Sequence, residues 1–353
     1  MAKNLFLFLI FGLITLASLA QVNSSSTYKF LNLPTSARSA AMGGSFISSG
    51  SSDLNLVADN PSVLDSTMHK LATISYINYL SDINMGYVAY SKHYQGIGTF
   101  SGGLQFMGYG EFVRADETGA KYGTFKAGDY AFDISYGKAI DSLFSIGASM
   151  KVIYSSYDYL NSFGVAFDLG ATYTSQNKRF TAGAVINNIG MELKPYFKGE
   201  RQKLPLNMQL AGSIKLENAP LRFTALINNL QTWNLTGNQS VDGLPTIGPS
   251  GNSIATSPKS SFTVDNLFRH FVFGAEILPS ENFFIQIAYN YLRKKELSVP
   301  GRTTLNAFSF GLGMRIKRLK FSYALASYTS AGTSHHLTLS TDLKSFKRKS
   351  SAN

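Results

Sequence analysis

No cysteine occurs in the 353 residues, which excludes disulfides, thiolate nucleophiles and sulfur-ligated metals together. Histidine is nearly as scarce, with five in the chain. His335 and His336 are adjacent in an alternating segment, so their side chains point to opposite faces and cannot chelate one ion. No metal site or cofactor is expected. The glycine-rich GIGTFSGG at 96–103 lies inside a strand-like run and lacks the helix N-terminus that a phosphate loop needs. A G-x-S-x-G elbow is missing as well, and an enzymatic role is not expected. Charged residues make up only 15% of the chain, and the formal charge of +11 is spread along it. With no Lys/Arg cluster set among stacking aromatics, nucleic acid is not expected as a partner.

Long apolar runs are missing too, with one exception. Residues 1–20, MAKNLFLFLIFGLITLASLA, read as a secretory signal peptide cleaved after Ala20. Beyond it nothing approaches the ~18–20 apolar residues of a membrane helix.

Aromatics, at 13%, and glycine, at 31 residues, are abundant. They fall into runs of period two, the signature of strands. In NAFSFGLGMRIKRLKFSYALAS, Phe308, Phe310, Leu312, Met314 and Ile316 alternate with Ser309, Gly311, Gly313 and Arg315. After Lys317–Arg318 the pattern resumes with Leu319, Phe321, Tyr323 and Leu325. About fourteen such runs follow one another from residue 71 to 343, most of them 9–13 residues long, as a tilted strand crossing a bilayer requires. Alternate connections are short, near 94–96, 139–143, 174–178, 218–219, 278–281 and 317–318. The others include longer ones near 109–128, 190–204, 230–267 and 293–303, although those at 80–83 and 157–160 are short too. That asymmetry predicts an all-β, transmembrane antiparallel barrel in the outer membrane, its large side chains on lipid and both chain termini periplasmic. Tyrosines toward strand ends, such as Tyr79, Tyr90 and Tyr154, suit interfacial girdles.

Glycine on the face opposite the aromatics costs ~0.5–1 kcal/mol per strand position, so something must press against the inner wall. Residues 21–70 supply a candidate, read as an N-terminal plug or lining segment. Within it SARSAAMGG predicts one helical turn carrying Arg38 and ended by Gly43 and Gly44. The pair Asn60–Pro61 breaks regular structure further on. On the inner face, Asp133, Lys151 and Asp168 fall on three successive strands, with Lys151 diagonal to both aspartates, and are expected to form a charge cluster. Residues 344–353 form a basic C-terminal tail.

YKFLNLPTSARSAAMGG, DLNLVADNP, YLSDINMGYVAYS and GLQFMGYGEFVRADETG resemble the PorQ-type proteins of the type IX secretion system. These belong to a larger set resembling the FadL outer-membrane barrels, which are fourteen-stranded with an N-terminal plug. The resemblance is dense over 28–119, and its motif includes Arg38, Gly43, Gly44, Asn60 and Pro61. It implies a non-enzymatic member of the surface attachment complex. Its implied partners are a PorZ-like surface protein, the sortase PorU and a PorV-like barrel, besides outer-membrane lipid. Many outer-membrane barrels end on a terminal aromatic; here the last strand is followed by the basic tail, with Phe346 inside it. Partner contacts are expected on the long loops, at Tyr109, Phe112, Tyr196, Phe197 and Trp233. The alternative is a FadL-like transporter of a hydrophobic solute, which would need a continuous apolar path through the lumen.

Overall fold

The computed structural model describes residues 26–49, 53–235, 246–247, 253–254, 264–298 and 305–346. The predicted signal peptide, most of the predicted loop 230–267 and the tail beyond residue 346 lie outside the described residues. Among the described residues no helix is long and apolar enough to cross a membrane.

Fourteen antiparallel strands close into one barrel. In chain order they are β1 (Leu71–Leu80), β2 (Ile83–Tyr94), β3 (Gly98–Ala115), β4 (Lys121–Ala139), β5 (Phe144–Tyr157), β6 (Leu160–Thr174) and β7 (Phe180–Lys194). The second half comprises β8 (Asn207–Lys215), β9 (Leu221–Ile227), β10 (Phe271–Ser280), β11 (Phe283–Asn290), β12 (Phe308–Ile316), β13 (Leu319–Thr329) and β14 (Gly332–Asp342). Each strand pairs with its sequence neighbour, and β1 closes on β14 from Leu71↔Asp342 to Asn78↔His335. Closure leaves no unpaired sheet edge in the wall, the condition for strands to cross lipid.

The faces follow the alternation. Phe310, Leu312 and Phe321 are exposed on the outer surface at 43%, 41% and 44%, whereas Ser309, just before Phe310, is fully buried. Phe163 also faces outward, and Lys151 and Asp168 face inward. The six short turns lie at one end, with the start of β1 and the end of β14; by the usual rule this is the periplasmic end.

Two stretches depart from the sequence reading. The expected loop 109–128 is mostly strand: β3 and β4 run on past the wall as a ribbon turning only at 116–120. Cross-strand pairs Glu111↔Lys126, Phe112↔Phe125 and Val113↔Thr124 hold it, with the two phenylalanine rings stacked at 5.1 Å. The expected strands 268–277 and 282–292 are each shortened by a helix, α2 (Val264–Arg269) and α3 (Tyr291–Glu296). The Asn290 side chain accepts a bond from the Arg293 N–H at 3.0 Å and caps α3, which alternation alone did not reveal.

Residues 26–49 and 53–70 thread the barrel interior. The segment starts beside the β7–β8 loop, where the Thr27 N–H donates to the Lys203 carbonyl at 3.0 Å. It forms α1 (Ala37–Ala41), capped by the Ser36 side chain, and a series of 3-10 turns, then joins β1 at the periplasmic end. Ser26 therefore sits at the long-loop end, whereas even strand parity alone had placed both termini in the periplasm.

Candidate functional site

The inner wall is built to accept this segment at close range. A Cβ on Gly147 of β5 would approach the Pro61 carbonyl carbon to 2.3 Å, and one on Gly170 of β6 would approach Asn60 Oδ1 to 2.2 Å. The Asn60–Pro61 motif owes its setting to these contacts. The Asn60 amide donates to the Ile47 carbonyl at 2.9 Å and to Thr172 Oγ1 at 3.0 Å. Its Oδ1 accepts from the Ser62 N–H at 3.0 Å and thereby caps the turn Pro61–Val63. Gly43, past the end of α1, has φ +90°, and a Cβ there would meet Val272 at 2.4 Å. Its carbonyl accepts from Arg293 at 3.0 Å and Asn290 at 3.2 Å, while Gly44 follows at φ +121°. Gly147→Val is expected to push the Asn60–Pro61 turn off the wall, because the obstructing atoms are backbone and cannot swing away. Overpacking of this kind costs ~1–3 kcal/mol. The measurement is limited proteolysis within 53–70, which should accelerate in the variant while heat-modifiable barrel migration persists.

Arg38 is the electrostatic centre of the segment. It pairs with Asp53 at 2.8 Å and with Glu276 of β10 at 3.1 Å, and its guanidinium lies 5.2 Å from the Phe46 ring centroid and 5.3 Å from that of Phe284. Glu276 also takes Arg222 at 2.7 Å and accepts from Gln286 at 2.7 Å; Asp53 also takes Lys320. Burial pushes the Asp53 carboxyl up, but Lys320 and Arg38 beside it prevail and hold it well below the usual carboxylate range. Asp59 lacks such a partner: burial raises it to about 6, against bonds donated by Ser39 Oγ and the Phe46 N–H. Sequence reading found Arg38 but not Asp53, Arg222, Glu276 and Lys320. Strand parity, which puts the last three on the inner face, was the available signal.

The second cluster is related to the expected one but wired differently. Asp133 faces Lys151 directly across β4–β5, rather than diagonally. Only Asp168 is diagonal, its direct partner being Ser149, and Lys151 forms its ion pair there, at 2.8 Å. Lys151 also donates to Asn188 Oδ1 at 3.0 Å, and the Asn188 N–H donates to Asp168 Oδ1 at 2.8 Å. Asn188 lies in a register shift of β7 at φ +64°, an irregularity with no signal in alternation. Above these groups lies a chamber of about 350 Å³ whose lining includes Asn32, Asn187, Asn207, Asn228, Asn229, Asn290, Gln105 and Gln209. The space is polar.

At the long-loop end, the five expected contact residues divide. Tyr109 donates to Asp129 at 2.5 Å and Tyr196 bonds Ser155, so both are tied to the inner wall around Tyr157. Phe112, Phe197 and Trp233 are exposed at 41%, 55% and 42%. Trp233 stacks on His270 at 5.4 Å, and its carbonyl accepts from Asn266 at 2.5 Å. Nearby, Asp265 joins α2 to α3, pairing with Arg269 at 2.9 Å and Lys295 at 2.9 Å and accepting from Tyr291 at 2.7 Å.

A closed fourteen-stranded antiparallel barrel with an apolar outer face defines the class: an integral outer-membrane β-barrel. Among solved structures it is similar to a mutant of the TodX monoaromatic hydrocarbon channel, at 12% identity over 88% of this chain and 97% of that one, with a TM-score of 0.51. The Pseudomonas putida toluene transporter TodX follows at 12% identity over 86% and 95%, TM-score 0.49. A Pseudomonas aeruginosa FadL homologue gives 11% identity over 91% and 99%, TM-score 0.45. The first of these similarities shows the fold alone. Comparison with curated proteins finds no match. The family model for the type IX secretion system protein PorV matches residues 20–220, and the chain belongs to that family.

Proposed function

We propose that this barrel is a PorQ-type component of the type IX attachment complex, a scaffold that holds a PorZ-like surface protein near the sortase PorU and a PorV-like barrel. It performs no catalysis and takes no cofactor. The observation that carries this reading is the division of the molecule into an occupied lumen and a structured outer rim. The threaded segment acts as a plug, leaving the rim as the working surface. The β3–β4 ribbon, with Phe112 beside Phe125, stands beyond the wall and gives a docking protein a rigid aromatic edge. Phe197 and Trp233 add exposed rings on neighbouring connections.

The transporter reading, which the hydrocarbon-channel neighbour brings to mind, requires an apolar passage. A chamber in which asparagine and glutamine side chains interrupt the apolar lining, and an ion network around Arg38 toward the periplasmic end, speak against such a passage.

Deleting about 237–262 should leave a heat-modifiable, membrane-inserted barrel while the surface partner is released into the medium. Immunoblotting of cells and medium reads the result. Partner that stays on the cells after this deletion and after further loss of 109–126 would place the docking face elsewhere.

A further inference from the structure

At the periplasmic mouth a pocket of about 430 Å³ opens between β8 and β13. Its lining includes Lys215, Arg222, Arg315 and Lys320 from the wall and Arg38 from the threaded segment. Register sets these cations against one another: Lys215 lies directly opposite Arg222, and Arg315 directly opposite Lys320. Like charges in directly opposed positions destabilise a strand pair, and here the arrangement occurs twice around one cavity. The carboxylates do not resolve it. Glu276 is taken by Arg38 and Arg222, and Asp53 by Arg38 and Lys320. Among the described residues neither Lys215 nor Arg315 has an ion-pair partner. With Glu281 on the rim, five cations meet three carboxylates, an excess of two positive charges.

The geometry points to an oxyanion site at this mouth, one that binds a phosphate group through Lys215 and Arg315. A phosphate group is anionic and places its oxygens where a guanidinium fork can grip them; free phosphate carries up to two negative charges near neutral pH, a phosphodiester headgroup one. Phe283, Phe284 and Leu278 supply an apolar side to the same pocket, which has room for more than the phosphate itself. The group could come from a phospholipid headgroup of the periplasmic leaflet or from free phosphate. Both present non-bridging phosphate oxygens, two on the headgroup diester and more on free phosphate.

The test uses the full-length barrel in zwitterionic detergent and radiolabelled inorganic phosphate in equilibrium dialysis, with chloride holding ionic strength constant. A parallel arm measures co-purification of phosphatidylglycerol from discs of mixed phosphatidylglycerol and phosphatidylcholine. Saturable binding in either arm is expected, and which arm shows it identifies the source. The double variant Lys215→Gln with Arg315→Gln should bind at least tenfold more weakly, whereas Lys178→Gln on an exposed periplasmic turn should bind like the parent. Heat-modifiable migration verifies that each variant is folded. Absence of binding in both arms overturns the proposal, as does unchanged affinity in the double variant. So does binding of an acidic peptide without binding of phosphate.

Discussion

Replacing Arg38 by methionine is expected to destabilise the docked N-terminal segment by about 3 kcal/mol. Removing one member of a buried ion network strands the others and typically costs ~3–5 kcal/mol. The lower end applies because each carboxylate keeps one cation, Lys320 for Asp53 and Arg222 for Glu276. Methionine retains much of the volume between Phe46 and Phe284, so the measured loss reports charge rather than a cavity. Limited proteolysis of residues 26–70 in detergent should accelerate about a hundredfold, since ~1.4 kcal/mol corresponds to a factor of ten and cleavage follows the opened population. The strand ladders do not depend on Arg38, and the barrel should remain heat-modifiable. Equal cleavage rates in parent and variant would mean that the network does not hold the segment.

Phe310→Arg is the matching test from outside. Phe310 lies on the outer face of β12, paired with Ile287 of β11 and Leu325 of β13, two residues from the middle of its strand. An arginine near the bilayer midplane costs ~2–4 kcal/mol in such a barrel, whereas near an interface the cost falls toward ~0–1 kcal/mol. Urea unfolding in phospholipid bilayers should show the full loss at Phe310 and a much smaller one for Ile316→Arg, at the periplasmic end of the same strand. Equal small losses at both positions would contradict burial of this row in lipid. Gly311→Val, one residue away on the inner face, should instead act through Ala41 of the threaded segment, whose Cβ lies 2.4 Å from where a Gly311 Cβ would stand. Adjacent residues would then fail for unrelated reasons, one against lipid and one against the threaded segment.

By itself the sequence determined the barrel. Alternation of large and small residues forces one face outward and one inward, because side chains on a strand have period two. With closure, strand count and the alternation of short and long connections, this decided which rows meet lipid. Inner-face glycines such as Gly147 and Gly170 also showed in advance that the wall must be approached closely. Tertiary structure decided what approaches it. The path of residues 26–49 and 53–70 through the lumen, the meeting of Asp53 with Lys320 and of Arg38 with Glu276, and the shift at Asn188 all join positions far apart in the chain. Periodicity carries no information about such pairs: it assigns a residue to a face, not to a height or a partner. The ribbon at 109–126 and helix α3 were missed for a related reason. The ribbon depends on cross-strand pairs such as Phe112 with Phe125, and the helix on the cap of Asn290 on Arg293; neither kind of contact shows in the alternation along one strand.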